Sequence, residues 1–203
     1  MKKLFLFVFV AIASSFCVPL KNSITPEERK LALDYFQKTK DRFLNDVKGL
    51  SAAQLNFKAD TSRWSIAQCI EHITLAENMI WGWNMAMLKQ PAAPEKKSEV
   101  KFSNEALIAA TTDRSKKFNA PEMLRPTSKF PSTADALKTF TSRRDSTIAY
   151  IATTNDDLTN HYMVHPALGT LNIYQGLLFL AAHSERHTLQ IEEVMANANF
   201  PKQ

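Results

Sequence analysis

Glycine is scarce in this chain. Only Gly49, Gly82, Gly169 and Gly176 occur in 203 residues. A β-rich fold of that length needs more turn glycines, so the scarcity favours helices. Cysteine is scarcer still. Cys17 lies in or beside the N-terminal leader, and Cys69 is alone beyond it. That excludes a disulfide framework and leaves stability to core packing. No Cys-x-x-Cys-His run occurs, which excludes covalent haem attachment. No Gly-rich phosphate loop occurs either. The formal net charge is +5, and Lys2 and Lys3 of the leader supply part of it. No dense Lys/Arg stripe is interleaved with aromatics, so nucleic acid is not a partner. No internal repeat or low-complexity tract is present, and no stretch alternates with period two for long enough to read as a strand.

Present instead is an N-terminal export pattern. Lys2-Lys3 precede an apolar run from Leu4 to Ala13, and small residues, Ala13-Ser14-Ser15, follow. The run is too short for the roughly 20 residues of a spanning helix, and its order is that of a secretory signal. The expectation is a leader ending near residue 17, one helical domain over 18–203, and an exported, periplasmic or otherwise extracytoplasmic protein. No stable membrane span is expected once the leader is removed.

Helix starts are written plainly. Thr25-Pro26-Glu27-Glu28 combines a cap, a proline at the first helical position and a reciprocal glutamate. The spacing predicts a first helix ending near Gly49. Ser51 to Gln54 opens a short turn of helix. Ser65 and Gln68 open a second long helix, which Pro91 ends. Ser103 caps a polar helix predicted to reach about Phe118. A proline-bearing connection runs to Ser132, and another helix spans Thr133 to about Thr154. A loop is predicted from Asn155 to Leu171. Asn172 then caps a last helix predicted to reach Phe200. The fold class is all-α, a bundle of four main helices with one or two extra short ones.

The chemistry centres on His183-Ser184-Glu185-Arg186-His187. Residues at i and i+4 stack on one helix face, so both imidazoles can reach one ion. His72 lies on the apolar stripe of another helix with Cys69, Ala76 and Met79. If these helices pack together, His72, His183 and His187 form a three-histidine site with open positions. Gln190 follows on the same face and is a candidate to orient a ligand or a bound water. Glu185 is about 200° around the helix from His183, so it faces away. The order also differs from the zinc-protease His-Glu-x-x-His. His165 lies just before the last helix and is a candidate fourth ligand or proton carrier.

Trp64-Ser65-Ile66-Ala67-Gln68, then Glu71-His72-Ile73 and Glu77, then His183-Ser184-Glu185-Arg186-His187 and Gln190-Ile191, resemble the DinB-like, or YfiT-like, family. The resemblance covers the chain from about Thr25 to Phe200. It implies a four-helix bundle with metal ligands at His72, His183 and His187, and one divalent transition metal: zinc, nickel or iron. It also implies hydrolase or low-molecular-weight thiol-transferase chemistry on a small-molecule substrate. An export signal points away from thiol transfer, which belongs where the thiol is abundant. Two other readings stand beside the enzyme: a non-catalytic metal- or partner-binding bundle, and a homodimer packed through the Trp81 or Trp83 face.

Overall fold

The computed structural model describes residues 24–202. The leader and Cys17 lie outside them. Six α-helices carry the fold: α1 (Pro26–Val47), α2 (Ala52–Asn56), α3 (Ile66–Leu88), α4 (Asn104–Thr112), α5 (Thr133–Thr153) and α6 (Ile173–Met195). Each begins where a side chain can satisfy its first amides. Thr25, Ser51 and Ser65 form full capping boxes with Glu28, Gln54 and Gln68. Ser103, Ser132 and Asn172 cap without the reciprocal bond.

The long helices form a four-helix ring. α1 packs on α5 and α6, and α3 packs on the same two. Helices α1 and α3, consecutive apart from the short α2, therefore sit across the ring from each other. α2 and α4 are the extra short helices, and α4 lies against α6.

Three boundaries differ from the sequence expectation. α4 stops at Thr112 rather than near Phe118, because the Arg186 guanidinium takes the carbonyls of Thr111, Asp113 and Lys116. Those oxygens are then satisfied without a helix. α6 stops at Met195, and the last residues turn back on Asn197. The predicted loop from Asn155 contains a small antiparallel hairpin, β1 (Tyr162–His165) with β2 (Gly169–Asn172). Four residues per strand are too few for a period to show. Its turn uses Gly169, whose φ is +76°.

Two apolar clusters fill the ring. One gathers Phe36, Ile80, Leu107, Ile151 and Leu177. The other gathers Phe43, Ile70, Ile73, Phe140 and Ile191. Between them lies Arg144, fully buried, 4.9 Å from the Phe36 ring and 5.0 Å from the Phe140 ring. It donates to both oxygens of buried Glu77, at 2.7 and 2.8 Å, to Thr39 and to Ser184. One guanidinium thus ties all four long helices. Cys69 is buried, and burial pushes its thiol up to about 12, so it is no nucleophile. Trp81 and Trp83 are half-buried against the first cluster, with Trp81 edge-on to Tyr150 at 5.2 Å. No helix of the described residues is long and apolar enough to cross a membrane.

Candidate metal centre

α3 and α6 bring His72, His183 and His187 together. One ring nitrogen from each lies within 4.8 Å of the other two. No fourth His, Cys, Asp or Glu among the described residues joins them. His72 is 2% exposed, and His183 and His187 are half-buried.

The hydrogen bonds fix two of the rings. His72 Nδ1 lies 2.8 Å from the Leu124 carbonyl. His187 Nδ1 lies 2.9 Å from Gln190 Oε1. An oxygen acceptor requires the hydrogen on Nδ1, so each Nε2 presents a lone pair. Those two Nε2 atoms face each other at 3.1 Å. Two lone pairs at that distance repel unless a cation lies against them. The donor set fits a divalent transition metal: three neutral imidazoles, two of them with preset tautomers.

The Leu124 carbonyl is itself held. The connection between α4 and α5 doubles back on Glu71, whose carboxylate accepts the backbone N–H groups of Thr127, Ser128 and Lys129 at 2.9–3.1 Å. Ser128 takes a φ of +61° to make that turn. Sequence reading did not single out this anchor. The signal was the composition of α3, which holds Glu71 and Glu77 but no lysine or arginine. Acids on a largely buried helix need partners from elsewhere.

Aromatic rings wall the centre. Trp64 lies 4.7 Å from His72 and stacks on His187 at 6.0 Å. Phe179 lies 5.9 Å from His183. His165 lies 4.7 Å from Phe179, outside the three-histidine group. Glu185 faces α1, where it accepts from Tyr35 at 2.7 Å and from Arg42 at 3.1 Å.

Burial holds all three imidazoles below their ordinary range near 6.5, and the neighbouring rings lower His183 and His187 further. The unfolded chain therefore binds more protons just below that value than the fold does. Stability of the metal-free protein should be complete above about pH 6.5 and fall as pH drops through it toward the lower folded values. Urea unfolding at about pH 7.5 and about pH 5 measures this slope. Replacing His183 and His187 together with Gln should flatten it; an unchanged slope would assign it to other groups.

The DinB superfamily sequence model matches residues 32–191, most of the chain. The chain belongs to the DinB superfamily. Of the residues that carry the family resemblance, His72, His183, His187 and Gln190 meet at this centre, whereas Glu77 pairs with Arg144 and Glu185 faces α1. The chain is also 27% identical to the protein YuaE of Bacillus subtilis (strain 168) over 150 residues, 74% of this chain and 88% of that one. Among solved structures it resembles YfiT from Bacillus subtilis, with a TM-score of 0.58 and 14% identity, covering 86% of this chain and 90% of that one. YfiT is described as a probable metal-dependent hydrolase with an unusual four-helix bundle topology. At that identity the likeness shows a shared fold.

Proposed function

We propose that this DinB superfamily chain is an exported metal-dependent hydrolase, with His72, His183 and His187 holding one divalent transition metal. The convergence of the His72 and His187 lone pairs at 3.1 Å beside His183 carries this reading. The hydrolase description of YfiT supports it. When bound, such an ion supplies Lewis-acid chemistry at a substrate oxygen or at water.

The protein's own groups supply the rest. Gln190 and the Leu124 carbonyl hold the rings in place. Trp64 and Phe179 offer apolar walls and limit water. His165 Nδ1 accepts from the backbone N–H groups of Ala167 and Leu168, so its hydrogen lies on Nε2. With Nδ1 engaged and Nε2 protonated, it offers no free lone pair to a metal, which argues against a fourth ligand. Burial lowers its affinity for a second proton, so it is neutral at neutral pH. Export rests on the Lys2-Lys3 and Leu4–Ala13 pattern alone, and the N-terminus of the secreted protein, read by mass spectrometry, tests it.

The zinc- or nickel-loaded protein should hydrolyse members of a panel of activated esters and amides. His187→Ala should lose about 100-fold or more in rate, while Glu185→Ala stays within about threefold. No turnover by the loaded wild type would leave a non-catalytic metal-binding bundle. Equal loss in both variants would contradict the placing of Glu185 against α1.

A further inference from the structure

Two Nδ1 atoms of the centre are hydrogen-bonded, but by acceptors of different kinds. His72 meets a backbone carbonyl, which has only one end to offer. His187 meets a side-chain amide, which has two. If Gln190 presented its NH₂, His187 Nδ1 would have to accept. The hydrogen would then move to Nε2, pointing at His72. Something must choose the end.

Arg114 stands behind that amide. Its Nη1 donates to Gln190 Oε1 at 3.2 Å, and a guanidinium has donors only. The amide oxygen must therefore face Arg114, and the same oxygen faces His187. Glu193 grips Arg114 with both oxygens, at 2.8 and 3.0 Å, so the guanidinium cannot swing away. Arg114 sits just past the end of α4, in the segment whose carbonyls Arg186 captures. His187, Gln190 and Glu193 follow at steps of three along one face of α6.

We propose that Arg114 is a positioning residue of the three-histidine centre: it fixes the Gln190 amide so that His187 carries its hydrogen on Nδ1 and turns the Nε2 lone pair inward. The proposal rests on the metal-centre reading for its purpose, but not for its test. The connection between α4 and α5 then serves the centre twice, through Arg114 for His187 and through Leu124 for His72. Outer partners of metal-bound histidines set affinity by about 10- to 100-fold.

The test uses protein labelled with ¹⁵N-histidine, metal-free, at a pH where the rings are neutral. Two-bond ¹H–¹⁵N spectra assign each tautomer. Wild type should show His187 as the Nδ1–H form. Arg114→Met should lose that pattern and weaken zinc binding about 10- to 100-fold. Adding Gln190→Glu to Arg114→Met should restore both, because a carboxylate can only accept. An unchanged His187 pattern in Arg114→Met would overturn the proposal. So would a loss that Gln190→Glu fails to restore, since Arg114 would then act only through the fold of its connection. If wild type shows the tautomer but binds no zinc or nickel, the metal reading fails while the tautomer result still decides the role of Arg114.

Discussion

Glu77→Ala should cost about 3–5 kcal/mol, a large part of the stability of a domain this size. The reason is what it leaves behind. Arg144 is fully buried, and among the described residues Glu77 is the only carboxylate that pairs with it. Without Glu77, a guanidinium remains between two apolar clusters with only Thr39, Ser184 and the Phe36 carbonyl as partners. Urea unfolding should show the midpoint falling with little change in slope. Removing both charges, as Glu77→Met with Arg144→Met, should recover part of the loss, because an uncompensated buried charge costs more than an absent pair. Recovery should stay incomplete, since Thr39 and Ser184 lose their partner. A loss under about 1 kcal/mol for Glu77→Ala would mean that Arg144 reaches water.

Gly176→Ala should cost about 2–4 kcal/mol, while Gly82→Ala should gain about 0.5–1 kcal/mol. Both glycines lie inside long helices, so helix propensity alone favours alanine at each. Their surroundings differ. A Cβ on Gly176 would fall 2.0 Å from Asn84 Oδ1 and 2.7 Å from Met163 Sδ. Asn84 is fully buried, and its Nδ2 donates to the Ile80 carbonyl. The amide cannot yield without breaking that bond. Asn84 Oδ1 has no hydrogen-bond partner, and the flat face of Gly176 is what gives it space. Around Gly82 nothing lies within 4 Å. Thermal or urea unfolding of the two variants should move in opposite directions. A shift of the same sign would show that propensity, not the α3–α6 contact, governs Gly176.

The features legible in the sequence were the local ones. Thr25, Ser51, Ser65, Ser103 and Asn172 announce helix starts because a cap bonds its own helix within three residues. His183 and His187 announce a shared face because helical spacing alone sets it. His72 could be placed on a buried stripe, and the packing of α3 on α6 then brings it to the pair. The long-range features were hidden. Nothing near Leu124 marks its carbonyl as the partner of His72, 52 residues away. Nothing distinguishes Arg144 from Arg143 in sequence, yet Arg144 is buried with Glu77 while Arg143 meets Asn78 near the surface. Arg186 ends α4 early from 70 or more residues away. The shared face of His187 and Gln190 was visible, but Arg114, which gives it meaning, comes from another element.

The most direct test of the centre is elemental analysis of the protein, purified without chelator or affinity metal, beside its His183→Ala variant. The account predicts about one equivalent of a transition metal in the wild type and loss of it in the variant, with both chains folded. No metal in either, and no gain in thermal stability when zinc or nickel is added, would contradict it.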